Sequence, residues 1–332
     1  MIRKYIFILL GIIFLTACTD GNRKDYAFSD LEIKVVRYDK LIYDATAMNS
    51  FMALQKMNIK FPRVTKILIE DVLELGAVNT DFVNEKLCSF YSDSALVSLM
   101  DDALAEYSDM SDIEEGLNRG FEALKKELPH IVVPMVYAQI SALNQSVVVA
   151  DNLLGFSIDK YLGEDYPLYR KYYYRHQRRT MKRTNIVPDC FMFYLIGQYP
   201  FEWKSDHRSF YHRLIYRGKM AWVIEQIFHQ DVSGHFSLGY SDAEVEWCFK
   251  YKDRIVEWMQ TNGYFESTDP ILARMYLLNT HPLNYKNKVI PPSFGIWLGL
   301  QLVDDYMKDH PEMSIRELLE CNNLADLINN HR

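Results

Sequence analysis

The stretch from Ile186 to Lys219, IVPDCFMFYLIGQYPFEWKSDHRSFYHRLIYRGK, limits the fold more than any other. It reads as two aromatic-rich helical segments joined by a polar loop. A helix pair of this kind can hold a metal, with two ligands one turn apart on the first helix and a third on the second. No histidine lies between Asp189 and Phe201. His207 and His212 are five apart and do not stack on one helical face. His229 and His235 are separated by a Gly-containing turn, and no H-E-x-x-H occurs anywhere. The histidines read as surface or structural residues. Neither a metal nor another cofactor is expected.

The N-terminus places the chain in the cell. Arg3 and Lys4 precede an apolar run from Tyr5 to Leu15, too short to span a bilayer comfortably. Leu15-Thr16-Ala17-Cys18 then reads as a lipobox. Residues 1–17 are thus expected to be a lipoprotein signal, Cys18 the lipidated residue and 18–30 a tether. Residues 31–330 are expected to form a single α+β domain. Two or more acyl chains anchor stably, which implies a body tethered to a membrane outside the cytoplasm. Thr19-Asp20-Gly21 lacks a dense acidic run, so a periplasm-facing site is expected, on either membrane.

The net charge is −7, and −9 once Arg3 and Lys4 are removed, which argues against nucleic acid as a partner. Cys88, Cys190, Cys248 and Cys321 each sit in a helical pattern beside apolar residues, with no C-x-x-C. Buried free thiols are expected rather than disulfides or zinc ligands.

Along the chain, Leu31 to Asp39 (LEIKVVRYD) alternates as a half-buried strand. Helical patterns follow: Met48, Phe51 and Leu54 on one face, then Val64 to Leu75 ending at Gly76, then Leu96 to Tyr107. Ser111-x-x-Glu114 is a capping-box signature before Ile113 to Leu128. After Pro129 the texture turns β-branched. Ile131–Ile140, Ser146–Ala150 and Gly155–Ile158 predict a small sheet turning at Leu143-Asn144-Gln145. Beyond it the pattern is helical, with capping boxes at Ser241 and Ser314 and a cap at Asp269-Pro270. The fold class is α+β, predominantly helical, with a small antiparallel or mixed sheet.

Arg170 to Arg183 holds seven Lys or Arg and no acid. As one helix it would align Lys171, Arg175, Arg178 and Lys182, either as a solvated face or as a dock for an anionic partner. No nucleophile elbow, phosphate loop or dinucleotide fingerprint occurs. Gly295-x-x-x-Gly299 falls in a helix interrupted by Asp304 and Asp305, so close packing of a soluble helix is expected there.

Several pieces together resemble the GldB-type gliding motility lipoproteins of Bacteroidetes. They are the Cys18 lipobox, LEIKVVRYD, Asp159-Lys160-Tyr161-Leu162-Gly163, Tyr166-Pro167-x-Tyr169, Ile186-Val187-Pro188-Asp189, Leu214 to Lys219, and Gly295 to Met307. That family is similar to predicted zincin-type metalloproteases, with H-E-x-x-H on one helix and a Glu ligand on the next. By this resemblance Asp189, Cys190 and Phe193 fall where His, Glu and His would be. Arg217 stands where the motility family commonly has Glu before Gly-Lys. A guanidinium cannot ligate zinc and would repel a cation. The resemblance therefore implies a zincin-like, noncatalytic pseudoenzyme, with Asp189, Arg217 and Lys219 marking a degenerate site. Arg217 is expected to pair with Asp189 or Glu225. Its partners would be other envelope or motility proteins. An active hydrolase in the same cleft, or a lipid- or glycan-binding lipoprotein, are the alternatives.

Overall fold

The computed structural model describes residues 32–203, 208–278 and 283–330. The signal, Cys18 and the tether lie outside the described residues. The fold described below belongs to the compact unit Ile33–Arg332. It is α+β and predominantly helical.

The chain enters through β1 (Val36–Arg37) and turns at once into α1 (Tyr38–Thr46). α2 (Phe51–Lys60) and α3 (Pro62–Lys66) follow, the latter continuing as a π-helical turn over Ile67–Val72. Next come α4 (Val83–Tyr91), α5 (Ser94–Glu106) and α6 (Ser111–Glu127). β2 (Met135–Gln139), β3 (Val147–Ala150) and β4 (Leu153–Ser157) complete a mixed sheet of order β1-β2-β4-β3. α7 (Pro167–Tyr172) and α8 (Arg175–Arg178) are short, whereas α9 (Ile186–Gln198) and α10 (Phe210–Ile227) form the helix pair. α11 (Asp242–Thr261), α12 (Pro270–Leu277), the hairpin β5 (Leu283–Tyr285) and β6 (Lys288–Ile290), α13 (Phe294–Asp309), α14 (Ile315–Glu320) and α15 (Leu324–Asn330) close the chain. Among the described residues, no helix is long and apolar enough to cross a membrane.

Four sequence expectations change. The LEIKVVRYD strand is cut to two paired residues, Val36 and Arg37, beside Tyr137 and Ala138. The backbone N–H groups of Ile33 and Val35 are instead taken by Asn118 (2.7 Å) and Glu114 (2.9 Å) of α6. Glu114 is thereby withdrawn from its expected capping box, and Asp109 accepts from the Ser111 N–H in its stead (3.1 Å).

The sheet also connects differently. β2 and β3 are not neighbours, because β4 lies between them, parallel to β2 and antiparallel to β3. A turn does lie at Ala142–Leu143 between β2 and β3, but the hairpin of β3 with β4 turns at Asp151, which has φ 44°. Finally, Met48 and Phe51 are exposed. The Ser50 hydroxyl caps α2 through the Ala53 N–H, and this phase turns Ala53 and Met57 inward. The capping boxes at Ser241 and Ser314 and the Asp269–Pro270 start form as expected.

The core gathers around α10 and α13. A Cβ on Gly218 would lie 2.1 Å from the Gly299 carbonyl carbon, and one on Gly299 would lie 2.1 Å from the Leu214 oxygen. The two helices therefore cross with their backbones in contact at Gly218 and Gly299, while Gly295 lets α13 pack closely against Tyr276 and Leu277 of α12. Trp297, Phe294, Phe210, Phe191 and Phe121 are among the largest core side chains, each fully buried. Cys190 and Cys248 are buried, and all four described cysteines are free thiols.

Candidate functional site

α9 and α10 pack together, and the Tyr216 hydroxyl donates to the Tyr199 carbonyl (2.9 Å). Beside them opens a cavity of about 320 Å³. α9 contributes Asp189, Met192 and Phe193, and α10 contributes Arg217. The segment between the sheet and α9 adds Lys160, Tyr173, Gln177, Arg179 and Asn185, and the loop after α10 adds Ser237 and Leu238. Asp189 and Arg217, named from the sequence, thus line one cavity.

Asp189 Oδ2 accepts from the Tyr161 hydroxyl (2.8 Å). Burial pushes its carboxyl up to about 7, against the opposing pull of Tyr161 and of the Arg217 charge. Burial likewise lowers the pKa of the Arg217 guanidinium. Arg217 Nε has no hydrogen-bond partner, and among the described residues the guanidinium makes no ion pair. The expected pairing is therefore corrected: Arg217 bridges neither Asp189 nor Glu225. Glu225 is occupied elsewhere, its Oε1 accepting from the Ser237 hydroxyl (2.6 Å) and N–H (3.1 Å).

Lys219 does not share the cleft. It lies two residues past Arg217, beyond the Gly218 crossing, and its Nζ donates to the Leu319 (3.0 Å) and Cys321 (3.1 Å) carbonyls. Burial brings its pKa down to about 8. It lines a separate cavity of about 300 Å³ with Tyr199, Tyr216 and Leu319.

The basic run is not one helix. α7 ends at Tyr172, Tyr173 is extended, and α8 is only four residues long. Lys171, Arg175, Arg178 and Lys182 consequently share no helical face. Arg178 donates to the Glu164 carbonyl (2.7 Å), and Lys182 forms a β-bridge with Leu162. Lys171 lies over the Tyr172 ring, and Arg175 is exposed. Arg179 and Arg183, which the helical wheel left out, reach the Leu238 and Gly239 carbonyls and Asp112 respectively.

Sequence reasoning missed the site role of Asp159-Lys160-Tyr161. The buried Asp159 carboxylate accepts from the Ser141 (2.9 Å) and Leu143 (2.7 Å) N–H groups. Lys160 Nζ donates to the Leu143 carbonyl (3.1 Å) and the Tyr173 hydroxyl (2.9 Å). Tyr161 reaches Asp189. Three polar residues directly after an apolar strand were the available signal.

Asp189 predicts a pH dependence. A buried acid with a raised folded pKa binds its proton more tightly when folded, so stability falls as pH rises from about 4 to about 7 and is level above. Asp39, Asp159 and Glu225 are shifted the same way by burial, so the test is a difference. Asp189→Asn is expected to flatten this part of the profile in urea titrations. A profile parallel to that of the parent chain would show that Asp189 does not titrate in this window.

Fold and site together define a helix-rich α+β protein whose helix pair turns an acid and an unpaired guanidinium into one cavity. The family model described as gliding motility protein GldB matches residues 20–331, and the chain belongs to that family. No curated protein and no solved structure matches it. Membership makes it a gliding-motility-associated protein.

Proposed function

We propose that this chain is a lipid-anchored envelope protein that serves the gliding motility machinery by contact with partner proteins, on a degenerate zincin-like helix pair that does no catalysis. The observation that carries the reading is Arg217 in the cavity beside Asp189. A permanent cation there opposes a catalytic metal ion electrostatically and supplies no ligand. The lipobox at Cys18 supports the anchor, with the body facing the periplasm. Stoichiometric zinc in the purified protein would overturn the noncatalytic reading. Unchanged mature size after Cys18→Ala would remove the anchor.

The contact surface we assign is the outer side of α2. Phe51, Met52 and Ile59 are each more than two-thirds exposed there, with Lys56 and Lys60 beside them. Exposed apolar side chains rimmed by bases fit a motility protein presenting apolar residues among acids. The Phe51→Glu/Ile59→Glu double variant is expected to lose its crosslinked partners in envelopes while keeping its unfolding midpoint. An unchanged partner set would move the interface elsewhere.

One observation favours the hydrolase reading: Ser237 lines the cavity and its hydroxyl is held by Glu225. The same carboxylate oxygen also takes the Ser237 N–H, which suits a staple for the loop after α10. Labelling of Ser237 by a fluorophosphonate would decide for the hydrolase.

A further inference from the structure

We infer that the cavity lined by Arg217 and Asp189 is a binding site for a small carboxylate with an apolar body, held by the Arg217 guanidinium. Three cations line this cavity: Lys160, Arg179 and Arg217. Lys160 is satisfied by the Leu143 carbonyl and the Tyr173 hydroxyl. Arg179 is paired with Glu244 (3.2 Å), bonded to the Leu238 and Gly239 carbonyls, and stacked on Tyr240. Arg179 Nε is also without a partner, but among the described residues lining the cavity Arg217 is the cation with no hydrogen bond or ion pair at all. Buried charges are ordinarily paired, because leaving one uncompensated in a low-dielectric site is costly. An anion in the cavity supplies the missing partner.

The shape of the vacant donor set narrows the ligand. A guanidinium fork matches a planar carboxylate through two parallel N–H···O bonds. Asp189 is the one acid among the described lining residues, and its Oδ2 is held by Tyr161. When ionised, it disfavours a dianion such as phosphate more than a monoanion. Asn185 Oδ1 is a buried acceptor without a partner on the same wall, available to a donor on the ligand. The remaining wall is apolar, with Met192, Leu238, Leu277 and Ile296. A polar end and an apolar wall in about 320 Å³ fit a small molecule or a chain terminus. A free acid and the C-terminus of a peptide share this chemistry.

Calorimetric titration of the full-length protein with N-acetyl-leucine tests the inference, with N-acetyl-leucinamide as the probe lacking the charge. The acid is expected to bind, and the amide at least about tenfold more weakly. Arg217→Met is expected to abolish binding of the acid, and Arg217→Lys, which keeps the charge but not the fork, to weaken it about tenfold. An N-acetylated tripeptide ending in leucine separates the two sources. Binding of the tripeptide marks a peptide terminus, whereas binding of the short acid alone marks a free acid. Thermal unfolding without ligand guards against a folding artefact: Arg217→Met should melt no lower than the parent chain, since it removes an unpaired buried charge. Equal binding of acid and amide, retained binding by a folded Arg217→Met variant, or no binding of either acid at millimolar concentration would each overturn the inference.

Discussion

Gly218→Ala is expected to destabilise the protein by about 3 kcal/mol or more, the upper end for overpacking a core. The added Cβ would lie 2.1 Å from the Gly299 carbonyl carbon and 2.4 Å from the Leu300 nitrogen. Those atoms belong to the backbone of α13, so no rotamer change relieves the clash. The helices must move apart inside a core where Trp297 and Phe294 of α13 are fully buried, and interiors at crystal-like density resist such movement. The same crossing sends Arg217 to one cavity and Lys219 to another, so the displacement would disturb both. Gly197→Ala is the informative contrast. Its Cβ would meet only the Val149 side chain, at 3.1 Å, on an exposed stretch of α9. The better helix propensity of alanine, about 1 kcal/mol, offsets that contact, so the variant should be nearly neutral. Urea midpoints measure both. Equal small shifts for the two variants would mean that the α10–α13 contact is looser than the geometry states.

What could be read from the sequence divides by the range of the interactions involved. The caps at Ser241, Asp269 and Ser314 were legible because a cap is closed by residues two or three positions away. Close packing of α13 was legible from Gly295 and Gly299, which have little other use inside an apolar helix, but not that Gly295 would meet α12 and Gly299 would meet α10. Glu114 shows the opposite case. Its local partner was Ser111, yet it accepts from Val35, 79 positions away. The long-range bond won because it satisfies a backbone N–H that the shortened strand leaves open. The basic run failed as a helix for a similar reason. Arg179 and Arg183 are drawn to distant carbonyls and to Asp112, and the backbone breaks between Tyr172 and Arg175 to let them reach.

The site was half legible. Spacing along two helices, with the family resemblance, placed Asp189 and Arg217 together, and the structure puts both on one cavity. Spacing could not show that the helix crossing at Gly218 turns Lys219 away. Nor could it show that Lys160, Arg179 and Ser237 would come in from loops, since loop residues carry no periodicity to read. An unpaired guanidinium is also a cost to folding. A chain that keeps one in a cavity keeps a position useful for binding at the expense of stability, as functional sites commonly do.

Asp159→Ala is expected to have an effect comparable to Gly218→Ala, about 3 to 5 kcal/mol. Asp159 is fully buried at the end of β4, and its two oxygens take the N–H groups of Ser141 and Leu143. Between and at those donors the backbone is left-handed, with φ 52° at Ala142 and 66° at Leu143, a conformation that residues with side chains hold only when their surroundings impose it. Alanine leaves both N–H groups buried without acceptors, at about 1–3 kcal/mol each, and releases the strained turn. The consequence reaches the cavity, because the Leu143 carbonyl accepts from both Lys160 and Tyr173. Asp159→Asn keeps one acceptor oxygen and should lose about half as much. It sets an amide N–H₂ against one of the two backbone donors, which is why it does not restore the parent chain. Urea unfolding of both variants, paired with N-acetyl-leucine titration, gives the test. Asp159→Ala should lose stability and binding together. A variant that loses less than about 1 kcal/mol while still binding the acid would show that the turn holds its shape, and the cavity its lining, without the carboxylate.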